Sequence, residues 1–171
     1  MKYIIPELNA FRKDSIKLDW NEGSRKILKS LDFVDLDRLK NYPIFESYLL
    51  KNSIVEKFNF NNNIDITLTS GSDEFNFRLL LYLKNKINCL YFINPSYTQI
   101  KTDCSLLDIH VNNLNADPFK DYSLDLFSNI KKDENAAFYF CNPNNPTGRI
   151  LKKSFLIKMI EKFKNSLFII D

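Results

Sequence analysis

The 171-residue chain lacks several of the features that would fix a function at first sight. Its three glycines, Gly23, Gly71 and Gly148, lie far apart. No G-x-G-x-x-G can be formed from them, which excludes the common dinucleotide-binding turn. The one histidine, His110, sits inside the apolar run Leu106 to Val111 and reads as a strand residue rather than a ligand. The three cysteines, Cys89, Cys104 and Cys141, have no C-x-x-C spacing, and two of them lie in or beside apolar strand candidates. Buried, reduced thiols are expected, as in a cytoplasmic protein. Blocks of like charge are also missing: 24 basic and 21 acidic residues are spread along the chain for a net charge of +3. Neither nucleic acid nor a membrane surface is indicated as a partner. No apolar stretch approaches the ~20 residues that span a bilayer. The start, MKYIIPELNAFRKD, has a short apolar run interrupted by Pro6 and Glu7, so no signal peptide is expected. The remaining composition, 44% hydrophobic and 26% charged, is that of a globular chain able to bury a substantial core.

The most informative stretch is Ala136 to Gly148, AAFYFCNPNNPTG. Ala136 to Cys141 has the length and composition of a strand buried on both faces. It breaks into Asn142-Pro143-Asn144-Asn145-Pro146-Thr147-Gly148, where the two prolines can continue neither a helix nor a central strand. Three asparagine amides are thereby offered at the carboxyl end of a parallel strand, where open α/β sheets place their ligands.

Before it, the chain alternates between strand and helix. Strands are expected near 65–69, 89–93 and 106–111, and beyond it near 167–171, together with 136–141. Thr69-Ser70-Gly71-Ser72-Asp73-Glu74 turns into a helix ending near Lys86, apolar on more than one side and so expected to be well buried. Ser70 or Ser72 is its cap, with acids in its first turn. The same unpaired helix N–H groups, approached through Gly71, make an anion site. Pro95-Ser96-Tyr97 follows the second strand. Further helices are expected at about 45–58, over Ser123–Lys131 with Ser123 as cap, and over Lys152–Lys164. The last is amphipathic, with Phe155, Leu156, Met159, Ile160 and Phe163 facing the core. The alternation predicts a three-layer α/β/α sandwich on a mainly parallel sheet. Residues 1–60 read as an arm with short helices (one or two over Ser24–Leu39), and 61–171 as the start of the sheet domain. The final apolar run, Leu167 to Ile170, stops on Asp171.

Taken together, these motifs resemble the fold-type I pyridoxal-phosphate enzymes of aminotransferase class I/II, most closely the histidinol-phosphate aminotransferase group. The motifs occur in family order: Trp20-Asn21-Glu22, Tyr42-Pro43, Gly71-Ser72-Asp73-Glu74, Pro95-x-Tyr97, Asn142 to Gly148, and Asp171. Two positions depart from the family pattern, with Asn41 where an arginine precedes the Tyr-Pro pair and Gly23 where an asparagine follows Glu22. The resemblance implies that the backbone amides of Ser72 and Asp73 hold the phosphate of pyridoxal 5'-phosphate. It further implies that Tyr97 stacks on the pyridine ring, Asn145 binds the phenolic oxygen, and Asp171 pairs with the protonated ring nitrogen. Tyr42 would reach the cofactor phosphate of the partner in a homodimer, and Trp20 and Asn21 would lie at the substrate mouth.

The implied reaction moves an amino group between an amino acid or phosphorylated amine and a 2-oxo acid, as in cytoplasmic amino-acid biosynthesis. The resemblance covers about the first half of the family's length. It stops short of the lysine to which such enzymes bind the cofactor covalently. The chain is therefore expected to be a fragment, inactive by itself. Two other readings stay open: decarboxylation of a phosphorylated amino acid on the same cofactor, and a catalytically silent truncated domain.

Overall fold

The computed structural model describes residues 48–61, 63–132 and 135–171. The chain divides into two compact units between Asn59 and Phe60. The described part of the first is helix α1, Tyr48–Phe58. The second carries α2 (Gly71–Leu83), β1 (Cys89–Asn94), α3 (Gln99–Leu106), β2 (Val111–Asn115), a 3-10 helix (Leu124–Phe127), β3 (Ala136–Phe140), α4 (Lys153–Lys162) and β4 (Leu167–Ile170).

The four strands form one sheet in the order β2-β1-β3-β4, and each pairing is parallel. β3 is buried along its whole length and β1 over its first five residues, as expected of strands covered on both faces. Period-two alternation sorts their side chains into two cores. On one face Leu90, Phe92, Ala137, Tyr139 and Ile169 pack with Leu80 and Leu83 of α2 and Ile100 and Cys104 of α3. On the other, Cys89, Tyr91, Ile93, Ala136, Phe138 and Phe140 pack with Phe127, Ile130 and the α4 side chains Phe155 and Met159. The three-layer expectation is met.

Several local expectations are not. Residues 64–69 form no strand; β-branched composition favours extension, but a strand needs a ladder partner, and none lies beside this segment among the described residues. The run 106–111 is not the strand either. Leu106 ends α3, Asp108 takes a positive φ of 56°, and the strand begins at Val111. Leu107 and Ile109 are buried as plugs beneath the turn. β2 itself, Val-Asn-Asn-Leu-Asn, is an edge strand among the described residues and can be polar. His110 lies just before it and is exposed, with Nε2 3.0 Å from Asn112 Oδ1.

The Ser123–Lys131 helix shortens to one 3-10 turn, and Ser123 makes no side-chain cap. α2 is buried on one face only, through Asn76, Leu80 and Leu83, while Phe75, Phe77, Leu81 and Tyr82 are exposed. In α4, Phe155 and Met159 face the core, and Phe163 just beyond it is buried, but Ile160 is half exposed.

The strand order positions the site. From β1 the chain crosses to β2 on one side, then returns past β1 to build β3 and β4 on the other. The order therefore reverses between β1 and β3, and a crevice opens there at the carboxyl ends of the strands.

Candidate active site

A cavity of about 330 Å³ occupies that crevice, lined by Ser70, Gly71, Ser72, Asp73, Tyr97, Cys141, Asn145 and Asp171. Its floor is the carboxyl edge of the sheet. The ladder between β3 and β4 runs one step past both strands: Asp171 N–H donates to Phe140 O at 2.9 Å, and Asn142 N–H to Asp171 O at 2.6 Å. Asp171 is thus fixed beside the first residues of the asparagine loop.

The loop's three asparagines divide their work. Asn142 Oδ1 accepts the Leu151 N–H at 2.8 Å and ties the loop to the approach to α4. Asn144, only 3% exposed, is the loop's internal bolt. Its Oδ1 accepts from the Ser96 hydroxyl at 2.6 Å, and its Nδ2 donates to Pro95 O at 3.0 Å and Thr147 Oγ1 at 2.7 Å. Gly148, at φ +67°, closes the turn by donating its N–H to Asn144 O at 2.6 Å, a backbone shape glycine adopts without strain. Arg149 does not enter the cavity; its guanidinium donates to Asp117 O and Pro118 O. Asn145 is exposed and is the loop asparagine that lines the cavity.

The opposite wall is the start of α2. Gly71 has φ +82°, and a Cβ built there meets nothing within 4 Å, so glycine is required by the backbone angle rather than by crowding. Ser70 is the N-cap but makes no side-chain cap bond. Instead its backbone N–H donates to the Glu74 carboxylate, which closes the turn from the other side and holds that carboxyl below its usual range. Asp73 Oδ2 accepts the Tyr97 hydroxyl at 3.0 Å, joining this wall to the segment after β1.

Beneath Asp171 two donors converge. Asn76 Nδ2, from α2, lies 3.0 Å from Asp171 Oδ2, and the Tyr139 hydroxyl, from β3, donates to the same oxygen at 2.6 Å. Burial, reinforced by the contact with Asp171, pushes the Tyr139 phenol far above its usual range, so it stays a proton donor. Cys104, deep in the core, is pushed up to about 12 by burial and is inert as a thiol.

Ser72, Asp73, Tyr97, Asn145 and Asp171, all singled out from the sequence, thus meet around one cavity. Trp20, Asn21 and Tyr42 lie outside the described residues. Sequence reasoning missed Asn76, Tyr139 and Cys141 at this site. For Asn76 a signal existed: it shares the buried i, i+4, i+7 face of α2 with Leu80 and Leu83, where an amide needs a partner. Among the described residues no group of His, Cys, Asp and Glu could hold a metal, and no helix is long and apolar enough to cross a membrane.

A parallel α/β sheet with a polar crevice at its switch point, walled by a helix N-terminus, defines an enzyme-type small-molecule site. The chain belongs to the family described as aminotransferase class I and II, whose profile matches residues 14–171. It is 31% identical over 164 residues to the histidinol-phosphate aminotransferase of Brachyspira hyodysenteriae, covering 93% of this chain and 45% of that protein. The crystal structure of the histidinol-phosphate aminotransferase from Clostridium acetobutylicum is similar at TM-score 0.62 and 25% identity, over 79% of this chain and 39% of that one. That of an L-threonine-O-3-phosphate decarboxylase from Porphyromonas gingivalis matches in fold at TM-score 0.64 and 19% identity, over 89% of this chain and 44% of that one. The chain thus spans less than half the length of these relatives.

Proposed function

We propose that the protein acts as a pyridoxal-phosphate-dependent aminotransferase, moving an amino group between an amino acid or phosphorylated amine and a 2-oxo acid. The observation that carries this reading is the convergence of Ser72, Asp73, Tyr97, Asn145 and Asp171 on one cavity at the switch point. The residues present fit the cofactor. The cavity, about 330 Å³, falls in the range of small-molecule sites. Its two ends differ as a phosphorylated pyridine requires, with helix-terminus amides at one and a carboxylate at the other.

In this reading the amides of Ser72 and Asp73 take the phosphate and Tyr97 covers the ring, its hydroxyl anchored on Asp73. Asn145 donates to the phenolic oxygen, and Asp171 faces the ring nitrogen. When bound, the cofactor supplies an electron sink for the substrate carbanion. The protein keeps a fixed negative charge opposite the nitrogen and holds the site's polar groups in place. The kinship with histidinol-phosphate aminotransferases favours a phosphorylated amine as substrate. Transfer is preferred to decarboxylation because the likeness to the threonine-phosphate decarboxylase is one of fold alone.

The arm and helices of residues 1–60 are assigned to part of a small domain and to dimer contacts, with Tyr42 serving the partner's site in a two-fold homodimer and Trp20 and Asn21 at the substrate mouth. The reading is of a cytoplasmic biosynthetic enzyme. Asp171→Asn in the complete enzyme is the test. It should retain the cofactor while turnover falls on the order of 10²-fold, the usual cost of removing one preorganised electrostatic contact. Unchanged turnover in that variant, or absence of cofactor binding by the unsubstituted protein, would overturn the reading.

A further inference from the structure

Asn76 and Tyr139 stand apart from the groups lining the cavity. Both are almost wholly buried, at 3% and 1% exposure, and both are set among apolar neighbours of the α2 side of the sheet. A leucine would suit the Asn76 position beside Leu80 and Leu83, and a phenylalanine would fill the Tyr139 position. A buried amide or hydroxyl without a partner costs about 1–3 kcal/mol, so what matters is the partner each one has. Both have the same one. From two different elements, α2 and β3, they close on Oδ2 of Asp171 at 3.0 and 2.6 Å. Asp171 Oδ1 receives no hydrogen bond among the described residues, and the residue lines the cavity.

The register explains the convergence. Tyr139 pairs with Ile169, so Cys141 stands opposite Asp171. Tyr139, Cys141 and Asp171 therefore share the sheet face that α2 covers.

We propose that Asn76 and Tyr139 are positioning residues for Asp171. They hold its carboxylate by one oxygen so that the other is offered to the cavity, at a fixed angle, for a cationic ring N–H. The inference rests on the pyridoxal-phosphate reading and adds two residues to it. Neither donor touches the cavity. Each acts only through Asp171, and the effect is confined to ligands that carry a nitrogen at the ring position Asp171 faces.

That confinement gives the test. In the complete enzyme, Tyr139→Phe and Asn76→Leu are compared with the unsubstituted protein for binding of pyridoxal 5'-phosphate and of its analogue with CH in place of the ring nitrogen. Folding is checked by circular dichroism. The two substitutions approach Asp171 from different elements, so the test does not depend on one of them. Each variant should lose about tenfold in affinity for the cofactor, as expected for loss of an outer contact to a liganding carboxylate. Affinity for the carbon analogue should be unchanged within about twofold. With 15N-labelled cofactor, the ring nitrogen signal should move toward the unprotonated position in both variants. Equal losses for both ligands would make Asn76 and Tyr139 merely structural and overturn the inference while leaving the cofactor reading intact, as would no loss for either. Failure of the unsubstituted complete enzyme to bind the cofactor would overturn the reading of the site, and this inference with it.

Discussion

Asn144 and Asn145 are neighbours of one residue type with opposite duties. Asn144 spends its whole side chain inside the protein, on Ser96, Pro95 and Thr147. Its replacement by alanine would remove three part-buried hydrogen bonds, to the Ser96 hydroxyl, the Pro95 carbonyl and the Thr147 hydroxyl, each worth about 1 kcal/mol net. Asn144→Ala should therefore lose about 2–3 kcal/mol of stability by urea denaturation. Asn145, exposed on the cavity, has no such role. Asn145→Ala should stay within about 0.5 kcal/mol in the same measurement, yet weaken binding of pyridoxal 5'-phosphate in a fluorescence titration. If the two substitutions proved equally destabilising, the division of labour within the loop would be wrong. From sequence, only the motif's likeness told the asparagines apart. Two of the three amide contacts that make Asn144 a bolt come from Ser96 and Pro95, 48 and 49 positions away, and no local pattern encodes them.

At the scale of elements, legibility followed burial. β1 and β3 were readable because strands covered by helices on both faces are continuous apolar runs, and β4 was readable as an apolar run although Leu167 and Ile170 are exposed. β2 was not, because an edge strand can be Asn-rich, and the more apolar run just ahead of it, Leu106 to Val111, drew the strand assignment. Residues 64–69 had strand composition without a partner, and pairing is a tertiary fact. α2 looked buried all round, but composition cannot tell how many of a helix's faces find a neighbour. The best-supported element is β3, whose Phe138 lies against four rings: Phe163 at 4.9 Å, Tyr91 at 5.0 Å, Phe168 at 5.3 Å and Phe127 at 5.9 Å between centroids. Phe138 is 1% exposed. Phe138→Ala should cost about 3–5 kcal/mol through lost contacts and the cavity left among those rings, again by urea denaturation. Phe138→Leu should cost clearly less, and a cost below about 1 kcal/mol for alanine would mean that this layer is not close-packed.

At the scale of the whole molecule, the sheet order ties stability to the site. β1 and β3 each have a neighbour on both sides, whereas β2 and β4 each have one among the described residues. β4 is also largely exposed, with Leu167 and Ile170 open to solvent. Local opening requires less free energy where fewer contacts are lost. In hydrogen exchange on the full chain, amides of β1 and β3 should be protected at least about tenfold more than those of β2 and β4. Asp171 should depart from its own strand, because its N–H is held by Phe140 O and its carbonyl by the Asn142 N–H, both at the end of β3. It should exchange more slowly than the amides near Leu167. Adding pyridoxal 5'-phosphate should slow Ser72, Asp73 and Asp171 further, since these line one cavity, and leave β2 as it was. Uniform protection across the four strands would contradict the edge positions of β2 and β4. Slowing that spread to β2 as strongly as to Ser72 and Asp73 would mean that the ligand stabilises the fold globally and does not act from the switch-point crevice.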